Sequence, residues 1–290
     1  MATATHDSYY VPHGTKWPIM GSIGLFLMLG GFATMLNGAN AGKTFMAIGA
    51  LVIITMLFGW FGQVIRESET GAYNAQVDVS FRMGMIWFIV SEVLFFAAFF
   101  GTLFYARIYS VPWLGGEGMK GVATGPVLWP NFEAAWPTNG PASVGGAFET
   151  IPAFGIPALN TAILLTSGVT VTLAHWALKR GDRSALCRWL FATVALGFIF
   201  LYFQGVEFGH AYGDLNLTLH SGIYGSTFFM LTGFHGLHVT IGALMLLVIL
   251  LRSLKGHFTP ERHFAFEAAA WYWHFVDVVW LGLFIFVYWL

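Results

Sequence analysis

The feature that most restricts the fold of this chain is a series of seven long apolar stretches. Only 9% of its 290 residues are charged, while 57% are hydrophobic. A helix needs about 20 apolar residues to cross about 30 Å of hydrocarbon, and lipid offers no hydrogen-bond partner to an unpaired backbone. The stretches are Ile19–Leu36, Phe45–Ile65, Met83–Ala106, Ile156–Leu178, Leu186–Phe208, Ile223–Leu251 and Phe264–Leu290. The sequence therefore predicts an all-α integral membrane protein with seven transmembrane helices.

The predicted organisation is a single membrane domain over residues 1–290. Residues 1–18 form an N-terminal segment, residues 19–110 hold the first three helices, and residues 156–290 hold the last four. The polar start of the chain, Met1 to Trp17, lacks the short apolar core of a cleavable signal, so we expect insertion to rely on the mature helices. An inverted repeat of the kind found in many transporters is not visible.

The distribution of cations predicts the orientation in the membrane, because Lys and Arg accumulate on the cytoplasmic side. With a cytoplasmic N-terminus, ten of the 13 cations lie inside: Lys16, Arg66, Arg82, Lys179, Arg180, Arg183, Arg188, Arg252, Lys255 and Arg262. Lys43, Arg107 and Lys120 then lie outside. The C-terminus is accordingly expected in the periplasm or its mitochondrial equivalent.

One long connection, residues 111–155, joins the third and fourth predicted helices. It is rich in glycine and holds six of the ten prolines, a composition typical of irregular extramembrane structure. Its Trp113, Trp129 and Trp136 either lie at the headgroup layer or dock on a neighbouring subunit, and of the two we favour docking.

Charge and cysteine content exclude several classes of function. The net charge of -1 provides no basic surface for a nucleic acid. A single cysteine, Cys187, cannot form an internal disulfide or the thiolate cluster of an iron–sulfur centre or structural zinc site. We also find no phosphate-binding loop, nucleophile elbow or dinucleotide fingerprint, so we expect no catalytic residues in this chain.

Glu92 is the most informative polar residue within a predicted helix. It lies about 14 Å along the third apolar stretch, at 1.5 Å per residue, and therefore near mid-membrane. We expect it to be protonated and to face protein, since an ionised carboxylate in lipid is costly. Three roles remain open at this point: a proton path, an oxygen path, or packing alone.

Other polar residues within the predicted helices are expected to bond between helices. His235 and His238 are three residues apart and share one helix face, as do His274 and Asp277. Two histidines on one face cannot bind opposite sides of a haem, so we predict interhelix packing and no metal site. Glu207 is expected to be an interfacial polar cap.

A further group lies at the predicted cytoplasmic border. Its members are Trp60, Arg66, Glu67, Arg252, Lys255 and His257. Basic side chains beside an indole suit an anionic lipid headgroup, although simple positive-inside anchoring explains them equally well from sequence alone.

Several strings of residues resemble the cytochrome c oxidase subunit III family. They are VIRES at Val64–Ser68, SEVLFF at Ser91–Phe96, GSTFFMLTGFHGLHVTIG at Gly225–Gly242 and FEAAAWYWHFVDVVW at Phe266–Trp280. The resemblance extends over all seven helices. The first two helices, which shorter quinol-oxidase homologues lack, favour the cytochrome c branch.

The resemblance implies a non-catalytic subunit without haem or copper. Such a subunit packs against the catalytic haem-copper subunit I, in a complex with the copper-bearing subunit II and with cytochrome c as substrate. Its first two helices lean away from the other five around a cleft filled with phospholipid. Glu92 matches a carbodiimide-reactive carboxylate of the family, and the border group matches headgroup contacts, which makes lipid binding the favoured interpretation.

The function implied by the resemblance is to sustain proton uptake and turnover stability of the catalytic subunit, and to guide oxygen through the lipid. The sequence departs from the mitochondrial pattern in its longer connection and in Gly71–Val79, which lacks histidines and carries Tyr73 instead. These departures leave the matching partner and headgroup contacts open. Because no targeting segment is recognised, we expect a bacterial inner membrane, with a mitochondrial inner membrane as the less favoured alternative.

Two rival functions follow from the same residues. The chain would be a secondary transporter if Glu92 and Asp277 carried protons, or a b-type cytochrome anchor if its histidines bound haem. Transport by the chain alone, or a Soret band in its visible spectrum, would distinguish these rivals.

Overall fold

The computed structural model describes residues 14–290 and consists of long helices joined by turns and one long connection. The long helices are α1 (Trp17–Leu36), α2 (Ala41–Glu69), α3 (Ala75–Tyr105), α4 (Ile156–Lys179), α5 (Arg183–Gly213), α6 (Gly222–Lys255) and α7 (Phe264–Leu283), and a π-helical segment, Phe284–Trp289, follows α7. The connection predicted to be irregular also contains short helical segments at Val111–Leu114, Gly118–Ala123 and Thr124–Leu128. All seven are long and apolar enough to cross a membrane, and residues 14–290 contain no β-strand. The predicted fold class is confirmed. The interpretation of the first residues falls mostly on Met1–His13, outside the described part.

Six of the seven helices begin earlier or end later than the apolar stretches that predicted them, and α7 is the exception. α3 begins at Ala75, where the Asn74 side chain accepts a hydrogen bond from the Val77 amide at 3.0 Å. At its other end the helical path continues through a π-helical turn, Ala106–Ser110. Hydropathy marks only the part of a helix that suits hydrocarbon, whereas capping and backbone hydrogen bonds decide where the helix begins and ends.

Contacts within the chain divide it into two compact units, which meet in sequence between Phe81 and Arg82. The first unit is built on the close packing of α1 against α2. A Cβ added at Gly31 would lie 2.6 Å from the Met46 amide nitrogen, and one at Gly49 would lie 2.5 Å from that of Met28. Glycine therefore permits a contact between the backbones of the two helices, as in many membrane helix pairs.

A chain of hydrogen bonds stabilises one end of this helix pair. The Trp17 indole N–H donates to Gln63 Oε1 at 2.7 Å, and Gln63 Nε2 donates to Glu67 Oε1 at 2.7 Å. The Tyr73 hydroxyl donates to Glu67 Oε2, also at 2.7 Å. Glu67 is thus bonded to groups of its own unit.

The second unit contains the remainder of α3 with α4 to α7, and its core is centred on α7. Trp273 and Trp280 are fully buried. Their indole N–H groups donate to Ser167 Oγ at 2.8 Å and to Thr161 Oγ1 at 2.9 Å, which connects α7 to α4. Each buried indole thereby has the hydrogen-bond partner that its polar edge requires.

The turn between α4 and α5 determines the position of the neighbouring helix end. Gly181 has a φ of +73°, and the Asp182 side chain accepts from the Ala185 amide at 3.0 Å as an N-cap. Arg183 Nε then donates to the Ser253 carbonyl at 3.1 Å, and its guanidinium also bonds to the Leu254 carbonyl. These carbonyls lie in the last turn of α6, where helix geometry leaves acceptors without partners.

The long connection folds onto the α5–α6 end of its own unit. The Glu149 amide donates to the Leu215 carbonyl at 2.9 Å, and the Tyr224 amide donates to the Thr138 carbonyl at 3.2 Å. The Trp136 ring packs edge-to-face on Tyr224 with 5.6 Å between centroids. Trp113 likewise packs edge-to-face on Tyr105 with 5.9 Å between centroids. Intrachain contacts, which were not among the predicted alternatives, thus involve two of the three tryptophans.

The outward surfaces of the helices are strongly apolar. Phe26, Phe58 and Trp87 are 77%, 78% and 66% exposed. Exposed aromatic side chains of this number suit a hydrocarbon environment and would favour aggregation in water. The orientation of the termini and the lipid cleft stay predictions.

Candidate functional site

Glu92 and His238 form a pair inside the second unit. Glu92 lies on α3 and His238 on α6, and Glu92 Oε2 is 2.7 Å from His238 Nε2. Their side chains are 21% and 10% exposed. The other ring nitrogen, His238 Nδ1, is 2.6 Å from the Phe234 carbonyl oxygen on the preceding turn.

The number of protons on the pair follows from these two contacts. A carbonyl only accepts, so His238 Nδ1 carries a proton and donates it to Phe234. One further proton must lie between His238 Nε2 and Glu92 Oε2, because two lone pairs would otherwise face each other. Whether that proton belongs to the acid or to the imidazole, the pair has no net charge, which is the state that a membrane interior tolerates.

Aromatic side chains surround the imidazole. Phe96 packs edge-to-face on the His238 ring with 4.9 Å between centroids, and Tyr272 stacks on it at 6.4 Å. The Phe95 ring lies 5.8 Å away. A setting of low polarity strengthens the Glu92–His238 hydrogen bond and makes loss of either partner costly.

His235, one turn earlier, is separately bonded and fully buried. Its Nε2 lies 3.2 Å from the Val276 carbonyl oxygen of α7 and therefore donates to it. The rings of Phe200 and Trp280 lie against it at 5.8 Å and 5.1 Å. The sequence suggested interhelix packing for His235 and His238, and in the structure their ε nitrogens bond to different helices, α7 and α3.

His274 and Asp277 are near each other but more loosely arranged. His274 Nδ1 is 3.7 Å from Asp277 Oδ2, and His274 Nε2 is 3.3 Å from Thr172 Oγ1 on α4. The His274 side chain is 46% exposed, whereas that of Asp277 is 8% exposed. Asp277 packs beside Gly168 of α4, where the absence of a Cβ leaves room for its carboxyl group.

The predicted headgroup residues of α2 differ in their surroundings. Trp60 is 48% exposed and Arg66 is exposed, with Arg66 Nε donating to the Gly62 carbonyl at 3.2 Å. The Glu67 carboxyl group, in contrast, accepts hydrogen bonds from the Gln63 and Tyr73 side chains.

The predicted headgroup residues of the α6 end also differ. Lys255 is exposed and His257 is half-buried. Arg252 is only 9% exposed, and its guanidinium lies 4.6 Å above the Phe258 ring centroid. A contact with a lipid is thus geometrically simplest for Lys255, while Arg252 has an aromatic neighbour of its own chain.

Glu207 lies in the interior of the second unit. It is 1% exposed, it accepts a hydrogen bond from the Tyr288 hydroxyl, and Gln204 Nε2 donates to it at 3.2 Å. Its enclosure by other side chains was not expected from the sequence, whereas its depth relative to the membrane interface stays a prediction.

Sequence reasoning also missed a cluster of His175, His263 and Glu267. One ligand atom from each lies within 4.8 Å of the others. The spacing of His263 and Glu267, four residues apart at the start of a helix, was a visible signal. Nothing in the sequence placed His175 beside them, because that contact depends on how α4 packs against α7.

Comparison with known proteins agrees with the resemblance described above. A family model described as cytochrome c oxidase subunit III matches residues 6–290. A protein named cytochrome c oxidase subunit 3 from Gadus morhua is 42% identical over 288 residues, covering 98% of both chains. Proteins of the same name from Oncorhynchus mykiss and Equus asinus are 41% and 39% identical over 290 residues, covering 100% of this chain and 99% of each relative. The chain therefore belongs to the cytochrome c oxidase subunit III family.

Proposed function

We propose that this chain is an accessory, non-catalytic subunit that sustains proton uptake and turnover stability of a catalytic subunit. As a family member it is a multi-pass membrane component of a respiratory oxidoreductase complex. The observation that carries the proposal is the Glu92–His238 pair, an ionisable pair without net charge that joins α3 to α6. Proton movement between its two atoms leaves the total charge of the bundle unchanged.

The same geometry supports a cofactor-free role for these histidines. Both ring nitrogens of His238 lie within hydrogen-bond distance of groups of the chain, and His235 Nε2 donates to the Val276 carbonyl. A bis-histidine haem needs ligands from opposite sides of its ring, which these two side chains of α6 do not provide. Haem and copper belong, in this proposal, to subunits I and II, which with cytochrome c complete the reaction.

A Glu92→Gln variant of the whole oxidase tests this role. Glutamine keeps the shape and one donor, so we expect an assembled complex with unchanged haem spectra and nearly unchanged initial turnover. The number of turnovers before inactivation should fall, because the pair loses its shared proton. Glu117→Gln, an exposed acid of the connection, is the control. Complete loss of initial activity in a fully assembled complex would contradict a non-catalytic role.

We further propose that phospholipid binds along α6, with its headgroup at Lys255. Leu244, Val248 and Leu251 are 50%, 44% and 52% exposed and recur at intervals of four and three residues, which aligns them on one helix face. An acyl chain beside them would place an anionic headgroup near the exposed ammonium of Lys255. On α2, the Trp60 indole and the Arg66 guanidinium are the groups that could contact a phospholipid headgroup. A lipid layer held against the subunit would also provide an apolar path for oxygen.

Lipid analysis of the purified complex tests this second proposal. Changing Arg252 and Lys255 together to Ala should deplete tightly bound anionic lipid in native mass spectrometry and shorten catalytic lifetime. Because Arg252 is largely buried, the single Lys255→Ala variant serves if the double variant fails to assemble. Arg180→Ala together with Arg188→Ala changes cations near the start of α5 and is the matched control. Unchanged lipid content in the Lys255→Ala complex would refute the proposal.

For the compartment we propose a bacterial plasma membrane. The longer connection and the segment Gly71–Val79 depart from the mitochondrial pattern, whereas the vertebrate relatives favour a mitochondrial membrane. Membrane fractionation of the source cells decides between them, and recovery with mitochondria would overturn the proposal.

A further inference from the structure

Three side chains that the proposed function does not use converge where α4 ends and α7 begins. His175 lies one turn before the end of α4, His263 is the N-cap of α7, and Glu267 lies in the first turn of α7. Glu267 Oε1 is 3.5 Å from His175 Nε2 and 3.3 Å from His263 Nε2. The side chains of His175, His263 and Glu267 are 20%, 9% and 13% exposed, respectively. The cluster is therefore largely buried, with a small part of its surface open to the outside.

The hydrogen bond on the far side of His263 determines which of its nitrogens is available. His263 Nδ1 lies 3.1 Å from the Thr259 carbonyl oxygen and donates to it. In the neutral ring, Nε2 then presents a lone pair toward the Glu267 carboxyl group. Metal-binding histidines are commonly held in this way, with the second ring N–H donated to a backbone carbonyl.

The two ε nitrogens lack conventional hydrogen bonds. Neither His175 Nε2 nor His263 Nε2, both buried atoms, has a hydrogen-bond partner within residues 14–290. The carboxyl group, in contrast, is oriented by Arg82, whose guanidinium bonds to Glu267 Oε2. That contact orients the carboxyl group and leaves Oε1 directed at the two imidazoles. With both rings neutral and protonated at Nδ1, two nitrogen lone pairs and a carboxylate oxygen converge on one point, an arrangement that a metal cation would satisfy.

We propose that His175, His263 and Glu267 form a zinc-binding site at the α4–α7 end of the bundle. Zinc at about 2.0–2.1 Å from tetrahedral nitrogen and oxygen ligands places those ligands about 3.3 Å apart. The two nitrogen–oxygen separations, 3.3 and 3.5 Å, agree with that value. Two histidines and one carboxylate are a common three-residue zinc set, and the fourth position is left for water.

The site also has a mechanical consequence that is independent of the proposed role in turnover. Zinc would connect the end of α4 to the start of α7. Because Glu267 also bonds to Arg82, the ion would in addition help to hold α3 at Arg82. The Arg82 guanidinium partly offsets the charge of the Glu267 carboxyl group. We therefore expect weaker zinc binding than at a site of the same three ligand types whose acid has no cationic partner. The bound ion should therefore exchange in the presence of a strong chelator.

Metal analysis of the whole oxidase tests the proposal. The purified complex is treated with chelator, equilibrated with zinc chloride, desalted, and its zinc measured relative to haem iron. We expect the wild-type complex to retain about one zinc equivalent more than the His263→Ala and Glu267→Gln complexes, because each loses one of three ligands. His210→Ala is the matched control, since His210 Nδ1 also lies near a carboxylate, 2.7 Å from Asp214 Oδ2, but belongs to none of the three-ligand clusters found in residues 14–290. Equal zinc retention in all four complexes would overturn the proposal.

A measurement on unmodified protein covers the case in which the variants fail to assemble. Anomalous scattering at the zinc edge from the zinc-equilibrated wild-type complex should locate the ion between the three side chains. The absence of an anomalous peak there, or an ion located elsewhere, would refute the assignment.

Discussion

A carboxyl group near the middle of a membrane needs a partner, and Glu92 has one in His238. The 2.7 Å contact between them joins α3 to α6 across the apolar interior of the second unit. Removal of one partner leaves the other as a buried polar group without a hydrogen bond. Removal of both partners leaves no such unsatisfied group. The two residues should therefore behave as one energetic unit.

A double-mutant cycle on this pair follows from that reasoning. Glu92→Ala and His238→Ala should each destabilise the subunit within the complex, and the double variant should be less destabilised than the sum of the two. We expect a coupling energy of about 1–3 kcal/mol, measured by thermal or denaturant release of the subunit. Additive effects would show that the hydrogen bond contributes little.

Gly197 is a second residue whose role is set by a single neighbour. A Cβ added there would lie 2.8 Å from Cη2 of the buried Trp273 ring. Gly197→Val should lower the stability of the assembled subunit by about 1–3 kcal/mol, because the tryptophan must shift within a packed core. Gly205, also on α5, has no described atom within 4 Å of its added Cβ. Gly205→Val, the control for thermal denaturation, should have a much smaller effect, and equal melting temperatures for both variants would contradict this account.

At the scale of elements, the α1–α2 pair depends on glycine. Gly24 and Gly31 on α1 meet Gly42 and Gly49 on α2, and in both helices the two glycines are seven residues apart. This spacing returns to the same helix face after two turns, so the contact runs along both helices. The aromatic and aliphatic side chains of the pair are left on its outer surface.

Substitution at the glycine contact should separate these helices. Gly49→Val places two methyl groups where the α1 backbone lies, so we expect faster hydrogen exchange throughout α1 and less of the subunit retained during purification. Gly62→Val on the same helix is the control, because no described atom lies within 4 Å of its added Cβ. Unchanged exchange in Gly49→Val would show that α1 and α2 are held by other contacts.

At the scale of the whole molecule, the cation distribution predicts a definite topology. A reporter inserted at Gly181, in the short turn between α4 and α5, should be cytoplasmic, and one inserted at Gly118, in the long connection, should be outside. A reporter at the C-terminus should also be outside, because an odd number of crossings separates the two ends. Activity of any one reporter in the opposite compartment would contradict the predicted orientation.

The existence and approximate positions of the seven helices were predictable from the sequence. A membrane requires long uncharged runs, and this requirement leaves a strong local signal that does not depend on packing. The ends of the helices were less predictable: Asn74 begins α3 before its apolar run starts, and α5 continues past Phe208.

Partnerships between distant residues were decided only by the tertiary structure. The sequence marked Glu92 and His238 separately, but it did not pair them, and it gave no indication that Tyr288 bonds to Glu207. It likewise gave no reason to place His175 beside His263 and Glu267. Hydrophobic length is a property of each segment by itself, whereas a hydrogen bond or a ligand set between helices depends on the rotation and depth at which those helices pack.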